Sequence, residues 1–163
     1  MTMRYFIVMD CWSTRPVVIL ILKQKDKVMV SGSCLCGEIE YQVELIPEKV
    51  YNCHCSQCRK AHGATFATQA FAKGSTLKFI KGEALLGEYK GEPGVRAFCT
   101  KCGSRLMNYT PDKSLYLSVS LSSIDDEHNI VPVAHANVDS KAQWHNPSED
   151  IPSFPGIPDG ALD

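Results

Sequence analysis

Cys99-Thr-Lys-Cys-Gly103 is the stretch of this 163-residue sequence that does most to decide the fold. Two cysteines separated by two residues and followed by glycine form a tight turn from which both sulfurs point at one metal ion. Zn²⁺ binds thiolates at about 2.3 Å in a tetrahedron, and structural sites usually take two such pairs from separate parts of the chain. The motif therefore predicts a zinc-bound turn that needs a second pair of cysteines.

A second pair is available in Cys34-Leu-Cys36, which Gly32 and Gly37 flank. Two cysteines in alternation point to opposite sides of a strand, so both reach one ion only if the chain turns, which the glycines permit. Pairing this cluster with the Cys99–Cys102 turn gives a closed site of four thiolates that joins an early strand to a late hairpin.

The third cluster, Cys53-His-Cys-Ser-Gln-Cys58, then stands alone. Three protein ligands make an open site, whose fourth position takes water, a substrate thiol or another exchangeable ligand. Four thiolates around Zn²⁺ carry a net charge of −2, whereas three leave −1 and one labile position. We expect the neighbouring Arg59 or Lys60 to soften that charge or to attract an anionic substrate.

Other interpretations of the cysteines stay open. A single ion with spare reduced cysteines is one, and a disulfide framework is another, although a disulfide-rich chain of this size is typically secreted. His54 is a candidate fourth ligand or proton shuttle, but we interpret it as a packing or hydrogen-bonding residue. Cys11 is interpreted as an uninvolved thiol. Three further residues are also interpreted as packing residues rather than as substrate contacts: Asn108, Tyr109 and Trp144.

Composition narrows the class of protein. The formal net charge of −1 argues against a nucleic-acid partner, because binding to phosphates needs concentrated Lys and Arg. Asp10 breaks the first apolar run, no cleavage site follows it, and residues 17–22 are far shorter than the roughly 20 residues of a membrane helix. We therefore expect a cytoplasmic protein with reduced thiols and no membrane partner.

The rest of the chain is patterned as strands, which predicts a mainly β domain over residues 31–163. Residues 38–44 alternate polar and apolar side chains, and short β-prone runs follow at 65–71, 76–80, 84–89, 95–98, 106–109 and 115–119. One short helix is predicted from Ser56, its N-cap, to a stop at Gly63. Residues 1–30 form an extension of uncertain status, either an upstream addition or an added edge strand at 17–22. The proline-rich tail from Trp144 is predicted to be extended and irregular.

The order of these motifs resembles one family. Gly32-Ser-Cys-Leu-Cys-Gly37, Cys53-His-Cys-Ser-Gln-Cys-Arg59 and Phe98-Cys-Thr-Lys-Cys-Gly-Ser104 are similar to the glutathione-dependent formaldehyde-activating enzymes, a family that includes centromere protein V. The resemblance covers roughly residues 31–144. It implies a zinc-stapled β-tent fold with two zinc ions per chain. By that resemblance four cysteines hold a structural ion (Cys34, Cys36, Cys99, Cys102) and three hold a catalytic ion (Cys53, Cys55, Cys58).

The family's named activity implies the function. It joins formaldehyde to glutathione, giving S-hydroxymethylglutathione, and is classed as a carbon–sulfur lyase. We therefore expect a zinc-dependent enzyme acting on a small aldehyde and a thiol such as glutathione. The alternative is a non-catalytic binding module in which zinc only staples the domain together. Neither the physiological substrate nor the oligomeric state follows from the sequence.

Overall fold

A 14-residue strand, Glu40–Cys53, is the longest element of the computed structural model, which describes residues 6–8, 17–19, 28–92, 94–127 and 129–161. The one α-helix of the described residues is α1, Ser56–His62. The strands are β1 (Phe6–Val8), β2 (Val17–Ile19), β3 (Val28–Ser33), β4 (Glu40–Cys53), β5 (Ala67–Ala72), β6 (Lys78–Lys81), β7 (Leu86–Lys90), β8 (Val95–Cys99), β9 (Arg105–Tyr109), β10 (Leu117–Ser120) and β11 (Ala134–Ala136).

Strand β4 organises the main sheet of nine strands. The path runs β11-β4-β5-β10-β9-β8-β7, and β3 and β6 also pair with β4. The first half of β4 lies between β3 and β6, and its second half lies between β11 and β5. The pairing with β5 shifts register between Leu45 and Val50, a segment that contains Pro47, which has no N–H to donate. Among the named strands of the described residues, every pairing is antiparallel except that of β11 with β4.

The core lies along the apolar face of β4 and its neighbours. Tyr41 and Val43 are fully buried, as the alternation of residues 38–44 predicts, and Ile39 just before the strand is buried as well. Burial of side chains of this size stabilises a fold by about 1.5–3 kcal/mol each. Cys34 and Cys99 belong to the same cluster of buried residues. Two of the predicted metal-binding thiols are therefore anchored in the core.

The prediction of a mainly β fold with one or two short helices is confirmed. Helix α1 has the predicted bounds, and no helix of the described residues is long and apolar enough to cross a membrane. The tail beyond Trp144 has no helix or strand in the described residues, as expected. Two strands of the sheet were not predicted, Val28–Ser33 and Ala134–Ala136. Neither has a clear period-2 pattern, and both exist because β4 supplies their hydrogen-bonding partner.

The N-terminal residues depart from one expectation. Val17–Ile19 is a strand, but it pairs with Phe6–Val8 in a separate two-stranded sheet, so it is not the added edge strand proposed for residues 17–22. Strand Val28–Ser33 crosses the boundary at residue 30 that the sequence pattern indicates. Cys11 lies outside the described residues.

Removal of residues 1–27 should lower the thermal midpoint by at most a few degrees, because the nine-stranded sheet begins at Val28. Removal of residues 1–31 is the matched comparison, since it also deletes Val30, which is only 3% exposed. Loss of that buried side chain should cost about 1.5–3 kcal/mol beyond the broken pairing with β4. Melting followed by circular dichroism checks both. An equally large loss from the shorter deletion would contradict the placement of the domain's start.

Candidate metal centres

The first candidate metal centre is built on two turns, each of which follows a strand. After β3, the N–H of Gly37 donates to the carbonyl of Cys34 at 2.8 Å, and the turn also carries Cys36. After β8, the N–H of Gly103 donates to the carbonyl of Cys99 at 2.8 Å. Gly37 and Gly103 have φ angles of 69° and 76°, a left-handed backbone that side chains disfavour. Both turns therefore depend on the glycine that follows the cysteines.

Gly32 has a different role from the one expected. It lies inside β3 rather than in the turn, opposite Tyr41 of β4. A Cβ at this position would meet the tyrosine ring at 2.5 Å. Gly32 thus allows the strand to pass close to a buried ring.

The four sulfurs of this centre meet at distances that suit one zinc ion. The Sγ atoms of Cys34, Cys36, Cys99 and Cys102 all lie within 4.8 Å of one another. Cys36 Sγ lies 3.4 Å from Cys34 Sγ and 3.9 Å from Cys99 Sγ. Zn–S bonds of about 2.3 Å in a tetrahedron require sulfurs about 3.8 Å apart. The thiols are free, so the donor set fits zinc and the disulfide interpretation is wrong for the seven described cysteines.

Polar contacts favour the thiolate forms of two cysteines at this centre, Cys34 and Cys102. The N–H of Ile39 donates to Cys34 Sγ at 3.3 Å. The Ser104 hydroxyl, 3.2 Å from Cys102 Sγ, is the main cause that lowers the pKa of Cys102 to about 6. The same hydroxyl accepts from the N–H of Leu35 at 2.9 Å, which ties the two turns together. These contacts stabilise the charge that a metal-binding sulfur carries.

The second candidate centre lies where β4 meets α1. Cys53 is the last residue of β4, Cys55 is the N-cap of α1 and Cys58 lies in the first turn of the helix. The Sγ of Cys55 accepts a hydrogen bond from the N–H of Cys58 at 3.3 Å. The prediction of Ser56 as N-cap is therefore wrong by one residue, whereas Gly63 ends the helix with a φ of 60° as predicted.

These three sulfurs also lie within 4.8 Å of one another, and no further His, Cys, Asp or Glu of the described residues joins them. Hydrogen bonding with Cys53 is the main cause that lowers the pKa of Cys55, and hydrogen bonding with Cys55 raises the pKa of Cys53. Three thiols at this spacing ionise together only if a cation neutralises them, and a divalent metal does so. The amide nitrogen of Asn137 lies 3.4 Å from Cys53 Sγ. The donor set fits a zinc ion with three protein ligands.

His54 packs and hydrogen-bonds, as predicted. It is fully buried, and its Nε2 lies 2.9 Å from Nδ1 of His135. Its ring stacks on that of His145 and contacts Phe66. Burial is the main cause that lowers the pKa of His54 to about 4, so the ring is neutral near pH 7.

Contrary to the expectation from the sequence, the hydrogen bonds of Arg59 are made to backbone carbonyls and not to the sulfurs. Arg59 donates to two backbone carbonyls, those of His54 at 3.2 Å and Ser140 at 3.1 Å. Lys60 is exposed. The guanidinium of Arg59 therefore links α1 to the 3₁₀ turn Val138–Ser140 rather than serving as a free cation.

Two arginines that the sequence analysis missed approach the second centre instead. Arg96 on β8 and Arg105 on β9 both interact electrostatically with Cys58. Arg96 also donates to the side-chain oxygen of Gln57 on α1 at 2.8 Å. The two arginines flank the Cys99–Cys102 turn symmetrically in sequence, three residues before it and three after it, and this placement is the one local signal for them.

Asn108, which accepts hydrogen bonds from both arginines, belongs to a buried network of polar side chains. The amide of Asn108 donates to Gln69 Oε1 at 2.7 Å, and the hydroxyl of Ser118 donates to the same oxygen at 3.0 Å. Asn108 and Tyr109 are buried, as the packing interpretation requires. Trp144 is 77% exposed, so the packing interpretation is wrong for it.

An open cavity of ≈ 630 Å³ lies between the first centre and the C-terminal end of α1. Its wall includes Cys34 and Cys102 of the first centre, Ala61 and His62 of α1, and Arg105. Small-molecule sites typically have volumes of about 300–1,000 Å³. A small ligand therefore has room beside both α1 and Arg105.

The fold and the two cysteine clusters define a mainly β protein with one four-thiol and one three-thiol candidate zinc centre. The family model described as "Glutathione-dependent formaldehyde-activating enzyme" matches residues 29–140, and the chain belongs to this family.

Two known proteins are similar to it. A Halomonas elongata protein named "Putative glutathione-dependent formaldehyde-activating enzyme" is 29% identical over an alignment of 146 positions, and the match covers 83% of this chain and 92% of that protein. A structural-genomics crystal structure of a Rhodobacter sphaeroides protein matches with a TM-score of 0.51 and 23% identity. It covers 76% of this chain and 99% of its own, and it supports the fold alone.

Cys99→Ser should unfold the domain, whereas Cys55→Ser should leave it folded. Cys99 is fully buried in the core, and structural zinc contributes apparent binding free energies of about 10–16 kcal/mol in small domains. Serine at position 55 remains a good N-cap, so that variant removes a thiolate and keeps the start of α1. Circular dichroism melting and zinc analysis of both purified variants check this. Equal damage by the two substitutions would contradict different roles for the two centres.

Proposed function

We propose that this chain is a zinc-dependent carbon–sulfur lyase that joins formaldehyde or another small aldehyde to a thiol such as glutathione. The observation that carries the proposal is the convergence of Cys53, Cys55 and Cys58 without a fourth ligand among the described residues. A three-ligand site leaves one position for an exchangeable ligand. Membership of the glutathione-dependent formaldehyde-activating family supports the same substrate class.

The proposed division of labour follows from the two donor sets. The four-thiolate centre of Cys34, Cys36, Cys99 and Cys102 is closed and holds a structural zinc ion. The centre of Cys53, Cys55 and Cys58 is open and holds the catalytic one. Four thiolates neutralise the ion and leave −2, whereas three leave −1, which tolerates one more thiolate.

In the proposed reaction the substrate sulfur, as a thiolate, attacks the aldehyde carbon and a carbon–sulfur bond forms. The electron pair of the carbonyl π bond moves to oxygen, which takes a proton and becomes the hydroxyl of the adduct. When bound, zinc would either lower the pKa of the substrate thiol and so activate it, or polarise the carbonyl of the aldehyde.

The protein's own residues hold the site in place. Asn137 contacts Cys53 Sγ, and the N–H of Cys58 fixes Cys55 Sγ. His54, the residue between Cys53 and Cys55, is buried and neutral and adds no charge to the site. These contacts orient the three sulfurs, and the fourth coordination position stays available for the substrate.

A reducing compartment suits this chemistry. Seven free thiols stay available for metal only where disulfides do not form, as in the cytoplasm. The proposal therefore places the working enzyme there, with small molecules as its partners.

Wild-type protein should form the adduct of glutathione and formaldehyde faster than buffer does, and Cys55→Ser should fall to the buffer rate. The reason is that the variant loses one of three ligands of the open centre while its fold persists. Nuclear magnetic resonance of the hydroxymethyl carbon follows the product directly. The uncatalysed reaction also proceeds, so only a wild-type rate above both controls counts. Equal rates in all three would contradict the proposed reaction and favour a binding module or a different substrate.

A further inference from the structure

Two arginines on neighbouring strands converge on a single neutral acceptor. Arg96 Nη1 lies 3.5 Å and Arg105 Nη2 lies 3.2 Å from the side-chain oxygen of Asn108. The pKa of Arg105 is lowered by burial and then by the positive charge of Arg96, so the two cations repel each other. An arrangement of this kind is unfavourable unless an anion joins it.

The pair lacks a carboxylate partner in the described part of the chain. The ion pairs found there are Lys73–Glu44, Lys81–Glu40, Lys90–Glu88 and Lys101–Glu38, and none includes Arg96 or Arg105. Arg96 meets amide oxygens, those of Gln57 and Asn108. The Nε of Arg105 is buried and has no hydrogen-bond partner among the described residues. A buried donor without an acceptor is costly, and a ligand oxygen would satisfy it.

The two arginines offset the charge of the second centre when a substrate thiolate is bound. Three thiolates, a divalent ion and the substrate thiolate sum to −2, and Arg96 and Arg105 add +2, so a carboxylate beside them would meet two cations within a neutral assembly. Arg96 donates to the side chain of Gln57, the residue before Cys58 in α1, which places its guanidinium beside the helix that carries Cys58. A thiol ligand that also bears a carboxylate would supply its thiolate to the ion and its carboxylate to the arginines.

Access to Arg105 is through the open cavity of ≈ 630 Å³, whose wall includes Arg105 and His62. One carboxylate, Asp125, also lines this cavity, and it accepts a hydrogen bond from the Ser33 hydroxyl at 3.0 Å rather than pairing with Arg105. The guanidinium is therefore reachable by a small solute and is not occupied by an acid of the described chain.

We propose that Arg96 and Arg105 form a carboxylate-binding subsite that selects thiol substrates bearing a carboxylate. This inference rests on the proposed function of the second centre, and it names the chemical class of its thiol substrate. Arginine suits the task because its planar fork binds carboxylate through two parallel hydrogen bonds. The backing of Asn108 by Gln69 and Ser118 holds the acceptor that aligns the two guanidinium groups.

The test is a comparison of two thiols of the same size on zinc-loaded protein. 3-Mercaptopropionate carries a carboxylate, and 3-mercaptopropionamide carries a neutral amide in its place. Isothermal titration calorimetry measures both dissociation constants. Wild type should prefer the carboxylate about tenfold or more, because hydrogen bonds to charged groups are stronger than those to neutral ones. Arg96→Gln and Arg105→Gln should each bring the preference close to one.

Two further variants separate the role of the subsite from that of a positive charge alone. Lys60→Gln removes an equal charge from the exposed side of α1 and should keep the wild-type preference. Arg105→Lys keeps the charge but loses the fork, so its preference should fall between those of wild type and Arg105→Gln. Zinc content and circular dichroism identify any variant that fails to fold, and a wild-type ratio close to one overturns the subsite even without the variants.

The outcomes distinguish a failure of the carboxylate-binding subsite from a failure of the proposed function. Binding of both thiols to wild type with equal affinity would overturn the subsite and leave the proposed function standing. A preference that survives both glutamine variants, or that Lys60→Gln also abolishes, would overturn it too. Failure of wild type to bind either thiol would overturn the proposed function and the subsite together.

Discussion

The fold depends on bringing together the thiols of two turns that are far apart in the sequence. Cys36 and Cys99 are 63 residues apart in sequence, yet their sulfurs lie 3.9 Å apart, and Cys34 and Cys99 are rooted in the apolar core. Four thiols gathered this closely resist ionisation unless a cation joins them, and buried charge without a partner is costly. A zinc ion would resolve both problems at once. Bound there, it would fix the end of β3 against the β8–β9 hairpin, and strands β4, β5 and β10 lie between these two turns in the sheet.

The β8–β9 hairpin connects the two centres. Its turn carries two cysteines of the first centre, and its strands carry Arg96 and Arg105, which approach Cys58 of the second. Strand β4 makes a second connection, since one end pairs with β3 and the other end supplies Cys53. In the proposed account, closure of the four-thiol site would therefore also position the groups around the three-thiol site. Stability and the proposed function would then depend on the same hairpin.

The sequence predicted what short-range chemistry determines. A C-x-x-C-G turn, a helix that ends at Gly63 and the alternation around Tyr41 and Val43 each depend on neighbouring residues, and each is present. Long-range pairing was not predictable in this way. Strand Ala134–Ala136 exists because β4 accepts it, and Arg96 and Arg105 meet Cys58 only through the sheet. The N-cap was assigned to Ser56 because serine is a common cap, whereas a sulfur of Cys55 takes that position. The metal itself and the roles of its ligands remain proposals.

The central claim is that seven cysteines hold two zinc ions, one in a closed site and one in an open site. Native mass spectrometry of protein purified without chelator counts the ions bound to each folded chain. The account predicts two zinc ions per chain, of which a competing chelator removes one readily and the other only on unfolding, because the open site exposes its ion to exchange. A single zinc ion per chain would contradict the division of the cysteines into four and three.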